Sequence, residues 1–403
     1  MIPETVERRA RWVLDTLGGR DLGLGDDLPY REGAWEQADR GERPEGDDLA
    51  EAFFHLARVE ERDAERDRHG RFAAASSCLD PLDPPLERLR ERLGLDPPRW
   101  GGAQFAVALT HDVDVPWRWT RVGIRGGAAR IKNAVLAGRA RDAGAEARAL
   151  AAVPLHKARG TDPNWRFERI CELERSLGTR STFFLLGGHR HRADGPSPEA
   201  FESRRARLVE TLLAHDAEVA LHASYTAADD PAVLAEEHAA LEALAGPVAG
   251  QRFHYLRVDP HRNLRELDRL GFRYDSSLGF ADAPGFRAGI AHPFRPWDFE
   301  REAPLGLVEI PLAAMDVTYA EERYLGLAAR AAAPGLLDLV RRAAERGGGF
   351  ALLWHTDRFD RGTARGWDRL YARVIEAVRA HGGVCLPAGE LAAEATERLG
   401  GSL

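Results

Sequence analysis

The chain has 403 residues, 44% of them hydrophobic and 30% charged, with a net charge of −8 at pH 7. That balance suits a globular protein with one large domain and a smaller one, and it excludes a general nucleic-acid binder, which needs a basic surface. Three widely spaced cysteines, Cys78, Cys171 and Cys385, form neither a disulfide framework nor a zinc-finger pattern. The N-terminus lacks the apolar core of a signal peptide, and no apolar run reaches the roughly 20 residues of a membrane helix. The expectation is a cytoplasmic protein with no integral membrane segment; nothing in the sequence sets its oligomeric state.

Residues 1–100 are rich in Asp, Glu, Arg, Gly and Pro and read as a smaller N-terminal extension. Within it Leu49, Phe53, Leu56 and Val59 recur at helical spacing, which predicts a helix over 49–66. Prolines across 81–98, around a short helix at 86–93, read as a connector. From Phe105 onward, short apolar runs alternate with amphipathic stretches. Strands are predicted at 105–110, 181–186, 218–222, 252–258, 272–275, 306–310, 350–355 and 383–387. Helices are predicted at 165–177, 198–215, 231–244, 264–270, 334–346 and 369–381. Such alternation implies a parallel sheet, and seven or eight units point to an α/β fold of the (β/α) barrel type over 101–403. Residues 115–160 fit the pattern poorly. An insertion after a barrel strand lies at the active-site end, so this one reads either as a lid or as a peripheral helical decoration.

The first strand ends in Thr110-His111-Asp112-Val113-Asp114. Side chains alternate along a strand, so Asp112 and Asp114 can point to the same side. Two carboxylates there repel each other unless a cation or a shared proton compensates, which makes the pair a metal-plus-base candidate, or else a turn. Other strand ends carry partners: His222 after the third, His254 and Arg257 on or past the fourth, Asp275 after the fifth and His355 after the seventh. In a barrel these C-terminal ends share one face. Each has a plainer reading too. His222 and His355 can be satisfied structural histidines, the latter bonded to Asp357. Arg257 can serve a structural ion pair, and Asp275 a turn or helix cap. His111 alternates away from the pair, and His189 and His191 read as an exposed loop.

As an ordered set these motifs resemble the polysaccharide deacetylases of carbohydrate esterase family 4. The resemblance implies a distorted (β/α)7–8 barrel with a divalent metal, zinc by expectation. It implies Asp112 as catalytic base and Asp114 as metal ligand. His222, in Leu221-His222-Ala-Ser-Tyr-Thr226, would be a second ligand, and His355, in Leu352-Leu-Trp-His355, the catalytic acid. Arg257, or Arg252, in Gln251-Arg-Phe-His-Tyr-Leu-Arg257, would orient the base. The stretches Ala52–Arg58 and Tyr274–Gly289 look like a branch with an N-terminal extension. One position departs from the pattern: the family's second metal histidine, four residues after the first, is Thr226 here. His254 is then the nearest third metal ligand, with Tyr255 another. His254 and Arg257 have opposite parity on a regular strand, so both face the site only if the chain bends. The implied activity is metal-dependent removal of N-acetyl groups from a carbohydrate, by expectation an intracellular glycan or glycan precursor. Alternatives are a non-catalytic glycan-binding relative, or an amide hydrolase acting on a non-sugar substrate. Tryptophans 117, 119, 297, 354 and 367 offer faces for sugar stacking or belong to the core.

Overall fold

The computed structural model describes residues 2–24, 28, 30–360 and 364–400. The strands are β1 (Ala106–Val113), β2 (Thr182–Leu186), β3 (Glu218–Ala223), β4 (Gly250–Phe253), β5 (Tyr274–Asp275), β6 (Trp297–Asp298), β7 (Ala303–Pro304), β8 (Val308–Glu309), β9 (Leu312–Met315), β10 (Gly349–Leu353) and β11 (Val384–Leu386). β6 and β7 form a small antiparallel pair, and the other nine make one parallel sheet in the order β8-β5-β4-β3-β2-β1-β10-β9. β11 shares an edge of β1 with β2: it pairs at Ala106–Ala108, and β2 pairs at Thr110–Val113. These strands are buried along almost their whole length, as the near-continuous apolar runs of a parallel sheet require.

The sheet has two edges, β8 and β9, and only Ile310 and Pro311 lie between them in the chain. Three peptide steps reach at most roughly 11 Å. The sheet must therefore curl until its edges nearly meet, closed by covalent chain rather than by a ladder. The result is a distorted (β/α) barrel, as expected, with a register shift between β9 and β10 at Ala351/Leu352. Because the strands are parallel, their C-terminal ends lie on one face.

Helices α1 (Glu4–Leu17), α2 (Glu32–Asp39), α3 (Asp48–Leu56) and α4 (Pro85–Arg92) precede the sheet. The insertion after β1 is helical: α5 (Arg121–Leu136), α6 (Ala140–Ala151) and α7 (Val153–Arg159). Between later strands run α8 (Phe167–Ser176), α9 (Phe201–Leu213), α10 (Pro231–Ala245), α11 (Asn263–Arg269), α12 (Asp316–Ala320), α13 (Ala329–Arg346), α14 (Trp367–Ala380) and, last, α15 (Ala388–Arg398).

Several predicted elements are corrected. The helix expected over 49–66 is capped by Asp47, whose carboxylate accepts from the Leu49 and Ala50 amides, and it ends at Leu56. The chain then turns at Arg58, which has a left-handed φ of 53° and a buried side chain committed to Glu60 and Glu61. The strand expected over 252–258 stops at Phe253. A short turn follows over His254–Leu256, with Tyr255 at φ 62° and Leu256 at φ 54°. α1, α2 and β9 were not foreseen.

We propose 1–100 and 101–403 as the division of the chain, with one apolar core running across it. Trp12 and Phe53 pack on Trp297, at ring-centroid distances of 5.0 and 6.0 Å. Arg9 reaches Glu302 with two bonds of 2.8 and 2.6 Å. Glu61, fully buried, accepts from Arg58 at 2.9 Å and from Arg287 at 2.8 and 2.5 Å. Burial opposes its ionisation, but Arg287 and Arg58 overcome that and hold its pKa at about 2. Glu61→Gln leaves the buried Arg287 guanidinium without its carboxylate and Arg58 with Glu60 alone, so unfolding free energy should fall by about 3–5 kcal/mol in a urea titration.

Asp275 and Glu309 form a second buried acidic pair, on adjacent strands. Asp275 accepts from the Ser277 amide and hydroxyl at 2.9 and 2.8 Å and from the Gln251 amide, whereas Glu309 accepts only the Leu278 amide. Burial, then the Asp275 charge, raises the Glu309 pKa well above 4.5. The folded state keeps a proton that the unfolded state releases. The pair's stability is therefore full below about 4.5 and is lost as pH rises through the folded value. Thermal midpoints should decline from pH 5 to pH 9, and Glu309→Gln should flatten that decline.

Candidate active site

Asp112 lies on the last turn of the β1 pleat and is buried; Asp114, just past the strand, is about a third exposed (32%). The two carboxylates have different partners. Arg252, on β4 and fully buried, donates to Asp112 Oδ1 at 2.8 Å and to the Thr110 hydroxyl at 3.0 Å. Its other nitrogens donate to the Ser276 carbonyl at 2.7 Å and the Ser276 hydroxyl at 3.0 Å, and its guanidinium sits 4.2 Å from the Phe184 ring centre. Asp275 and Ser277 brace this arm, since the Ser277 hydroxyl accepts the Phe253 amide. Asp275 is thus a support under Arg252 and does not line the cavity at the strand ends.

Asp114 faces histidines instead. His222 Nε2 lies 3.3 Å, and His254 Nε2 3.8 Å, from Asp114 Oδ1. Each ring has its other nitrogen committed: His222 Nδ1–H donates to the Arg252 carbonyl at 2.9 Å, and His254 Nδ1–H to Asp194 Oδ1 at 3.0 Å. Asp194 is itself held by the Tyr225 and His191 amides. In the neutral tautomer both Nε2 atoms therefore present lone pairs toward a carboxylate oxygen. Lone pairs and an anion in contact need a cation between them. Asp114 Oδ1 is buried and makes no hydrogen bond, and Asp114, His222 and His254 each offer an atom within 4.8 Å of the others. Two imidazoles and a carboxylate suit a divalent metal, and the carboxylate or carbonyl behind each ring orients the ligands. Burial opposes protonation of His222, but Asp112 and Asp114 outweigh it and raise its pKa. Burial likewise opposes ionisation of Asp114, whose pKa is held below the usual carboxylate value by His254, His222 and His355.

His355 completes the group from β10. Its Nδ1–H donates to Asp316 Oδ1 at 2.8 Å, and its Nε2 lies 3.9 Å from Asp114 Oδ2. Burial works against the imidazolium, yet Asp316 and then Asp114 lift its pKa to about 10. Arg358 donates to the second oxygen of Asp316 at 2.7 Å. All four residues line one cavity of about 370 Å³, together with Asp112, Tyr255, Tyr324, Met315 and Arg71 from the N-terminal segment. A second cavity of about 560 Å³ shares Asp114, Val115, Asp194, Gly195 and Asp357 with the first. α5 and α6 wall it through Val122, Gly123, Gly126, Arg130 and Glu146.

Arg257 is a correction. The turn after Phe253 carries it out of the site, where it donates to the His69 carbonyl at 2.7 Å, to Asp229 at 2.8 Å and to the Tyr225 carbonyl. Arg252 occupies the position beside Asp112. The same turn keeps His254 on the Arg252 side and so brings it to Asp114. Thr226 lines neither cavity. His111 points away, as expected, onto the Trp354 carbonyl and Glu174 at 2.6 and 2.8 Å. Trp297, Trp354 and Trp367 are core residues, while Trp117 lines the second cavity. Asp194, Asp316 and Arg358 were missed. Asp194 ends the loop that read as exposed, and Asp316 follows the unforeseen strand β9.

Fold and site together define a parallel (β/α) barrel with a candidate divalent-metal centre at the C-terminal ends of its strands. No family model matches the chain. No curated protein matches it either. Similar solved structures include the following two. One, from Mycobacterium smegmatis, is 20% identical, with a TM-score of 0.47 over 75% of this chain and 94% of its own. The other, from Pseudomonas aeruginosa PAO1, is 17% identical, with a TM-score of 0.48 over 81% of this chain and 100% of its own. Both are polysaccharide deacetylases by name, neither by a stated activity.

If the three-residue cluster holds the metal, His222→Ala and His254→Ala should each weaken zinc binding at least roughly tenfold, as loss of even a supporting group does. Thr226→Ala should leave it unchanged by isothermal titration calorimetry.

Proposed function

We propose that the protein is a metal-dependent carbohydrate N-deacetylase of the polysaccharide deacetylase family. One observation carries this reading: two neighbouring carboxylates have been given different partners, Asp112 a buried arginine and Asp114 a pair of histidines. Asp114, His222 and His254 would hold a divalent cation, zinc being the ion this donor set suits, and it would supply Lewis-acid chemistry at an amide carbonyl and acidify water.

The chain's own residues move the protons. Arg252 engages Asp112 Oδ1 and keeps the carboxylate oriented. Asp112 Oδ2, 3.6 Å from His222 Nε2, takes the proton of the attacking water. An amide nitrogen leaves poorly unless protonated. His355, its Nδ1–H anchored on Asp316, gives the Nε2 proton to that nitrogen. Arg358 holds Asp316 in place for the task. One proton goes to Asp112 and one comes from His355, so acetic acid and a free amine result, and the acid then releases its proton to solvent as acetate.

The lining suits a sugar, with tyrosine faces beside charged groups. The second cavity, walled by the 115–160 insertion, gives room for the rest of a larger substrate, and in this role the insertion is a substrate-facing subdomain. Thr226 motivated the non-catalytic alternative, and the third donor from His254 speaks against it.

Acetate release from N-acetylated sugars and chito-oligosaccharides is the direct test, with formate and ammonia measured in parallel to separate non-sugar amide hydrolysis. Asp112→Asn should lower kcat by about 10²–10⁴-fold while zinc content stays at the wild-type level. Retained turnover in that variant would remove Asp112 from the mechanism.

A further inference from the structure

Outside the strand-end site, one other group of metal-ligand side chains comes together among the described residues: His55 on α3, Glu60 just after it, and Cys78. Each offers an atom within 4.8 Å of the others. His55 is 1% exposed, and its Nδ1 is buried with no hydrogen-bond partner, while Nε2 lies 3.8 Å from Glu51. An orphaned ring nitrogen inside a protein is costly, and a metal ion relieves it. Glu60 Oε1 is occupied by Arg58 at 2.6 Å and by the Ser77 hydroxyl at 2.7 Å. Its Oε2 is left for Cys78, accepting the amide at 3.0 Å and the thiol at 3.1 Å. Cys78 is exposed, which gives an ion a way in.

We infer that His55, Glu60 and Cys78 form a second divalent-metal site, selective for a thiolate-tolerant ion such as zinc over magnesium or calcium. On binding, the ion replaces the thiol proton now directed at Glu60, and that proton goes to solvent. A coordinating thiol is deprotonated, so the bound ion faces a Cys78 thiolate. Arg58 and Arg43 stand nearby and repel a cation. Against them are the new thiolate, Glu60 and Glu51, the last paired with Arg43 at 2.5 Å.

The site lies where the N-terminal segment meets the barrel. A Cβ at Gly289, which has φ +68°, would sit 3.2 Å from the His55 Cβ, so the backbone of the loop after β5 closes directly over His55. A metal here ties the Cys78 loop to α3 beneath that loop and acts as a structural clamp.

Cobalt(II) titration of the metal-free full-length chain tests this. A thiolate ligand gives an intense near-ultraviolet charge-transfer band, and no thiol lines the strand-end cavity, so the band reports the second site. The band should saturate by two added equivalents, since the strand-end cluster takes up cobalt as well, and should vanish in Cys78→Ser. In His55→Leu the cobalt affinity read from it should fall at least roughly tenfold; should that variant not fold, Glu60→Gln takes its place. Absence of the band, its survival in Cys78→Ser, or unchanged affinity in the ligand variant would overturn the site. Failure of the deacetylase reading leaves the band untouched.

Discussion

The two residues Ile310 and Pro311 set the shape on which the rest depends. They tether the opposite edges of the parallel sheet, so the sheet has to curl although β8 and β9 do not pair. Curling points the C-terminal ends of β1, β3, β4, β9 and β10 at a common centre. Asp112, Asp114, His222, Arg252, His254, Asp316 and His355 come from five separate stretches of chain, and this closure brings them into reach of one another. Pro311 suits the seam: it lacks an amide proton, and its carbonyl still accepts from Ala351 at 2.8 Å.

Within that centre, electrostatics divides two carboxylates that the sequence places two residues apart. A fully buried guanidinium stabilises the charge on Asp112 without ligating anything. Two histidines with their outer nitrogens already committed turn their remaining lone pairs on Asp114. Each primary group is backed by another: Ser276 behind Arg252, Asp194 behind His254, Asp316 and Arg358 behind His355. Such backing fixes ring orientation and tautomer, which a metal centre and a proton donor both require.

The N-terminal segment is tied to this barrel by charge as well as by apolar packing. Glu61 between Arg58 and Arg287 is buried, so its removal costs far more than an exposed pair would. The left-handed turn at Arg58 that ends α3 is what delivers Glu60 and Glu61 to their partners. It also explains why the apolar spacing of 49–59 overstated the helix. Spacing records which residues face the core, and it is blind to a turn that keeps them there. Arg71 carries the segment to the edge of the strand-end cavity, where it donates to the Tyr324 hydroxyl at 3.0 Å.

Local pattern alone identified the apolar runs of β1, β2, β3 and β10, because a buried parallel strand is a continuous apolar stretch. It identified Asp112, Asp114, His222 and His355 because each directly follows or ends such a run. The two-residue strands β5 and β8 and the strand β9 carry little periodicity, so Asp316 had no strand to mark it. Parity along a regular strand left open whether Arg252 or Arg257 meets Asp112 and whether His254 reaches the site. The left-handed turn at Tyr255 and Leu256 answers both, sending Arg257 to Asp229 and keeping His254 beside Asp114. Sequence by itself determined the alternating α/β architecture and the identity of the polar groups at the strand ends, since both follow from short-range order. Which of those groups touch, and whether His254 comes beside Asp114 and His222, depended on a backbone turn and on sheet closure. Those are decided by packing between distant segments, and no single stretch of sequence contains them.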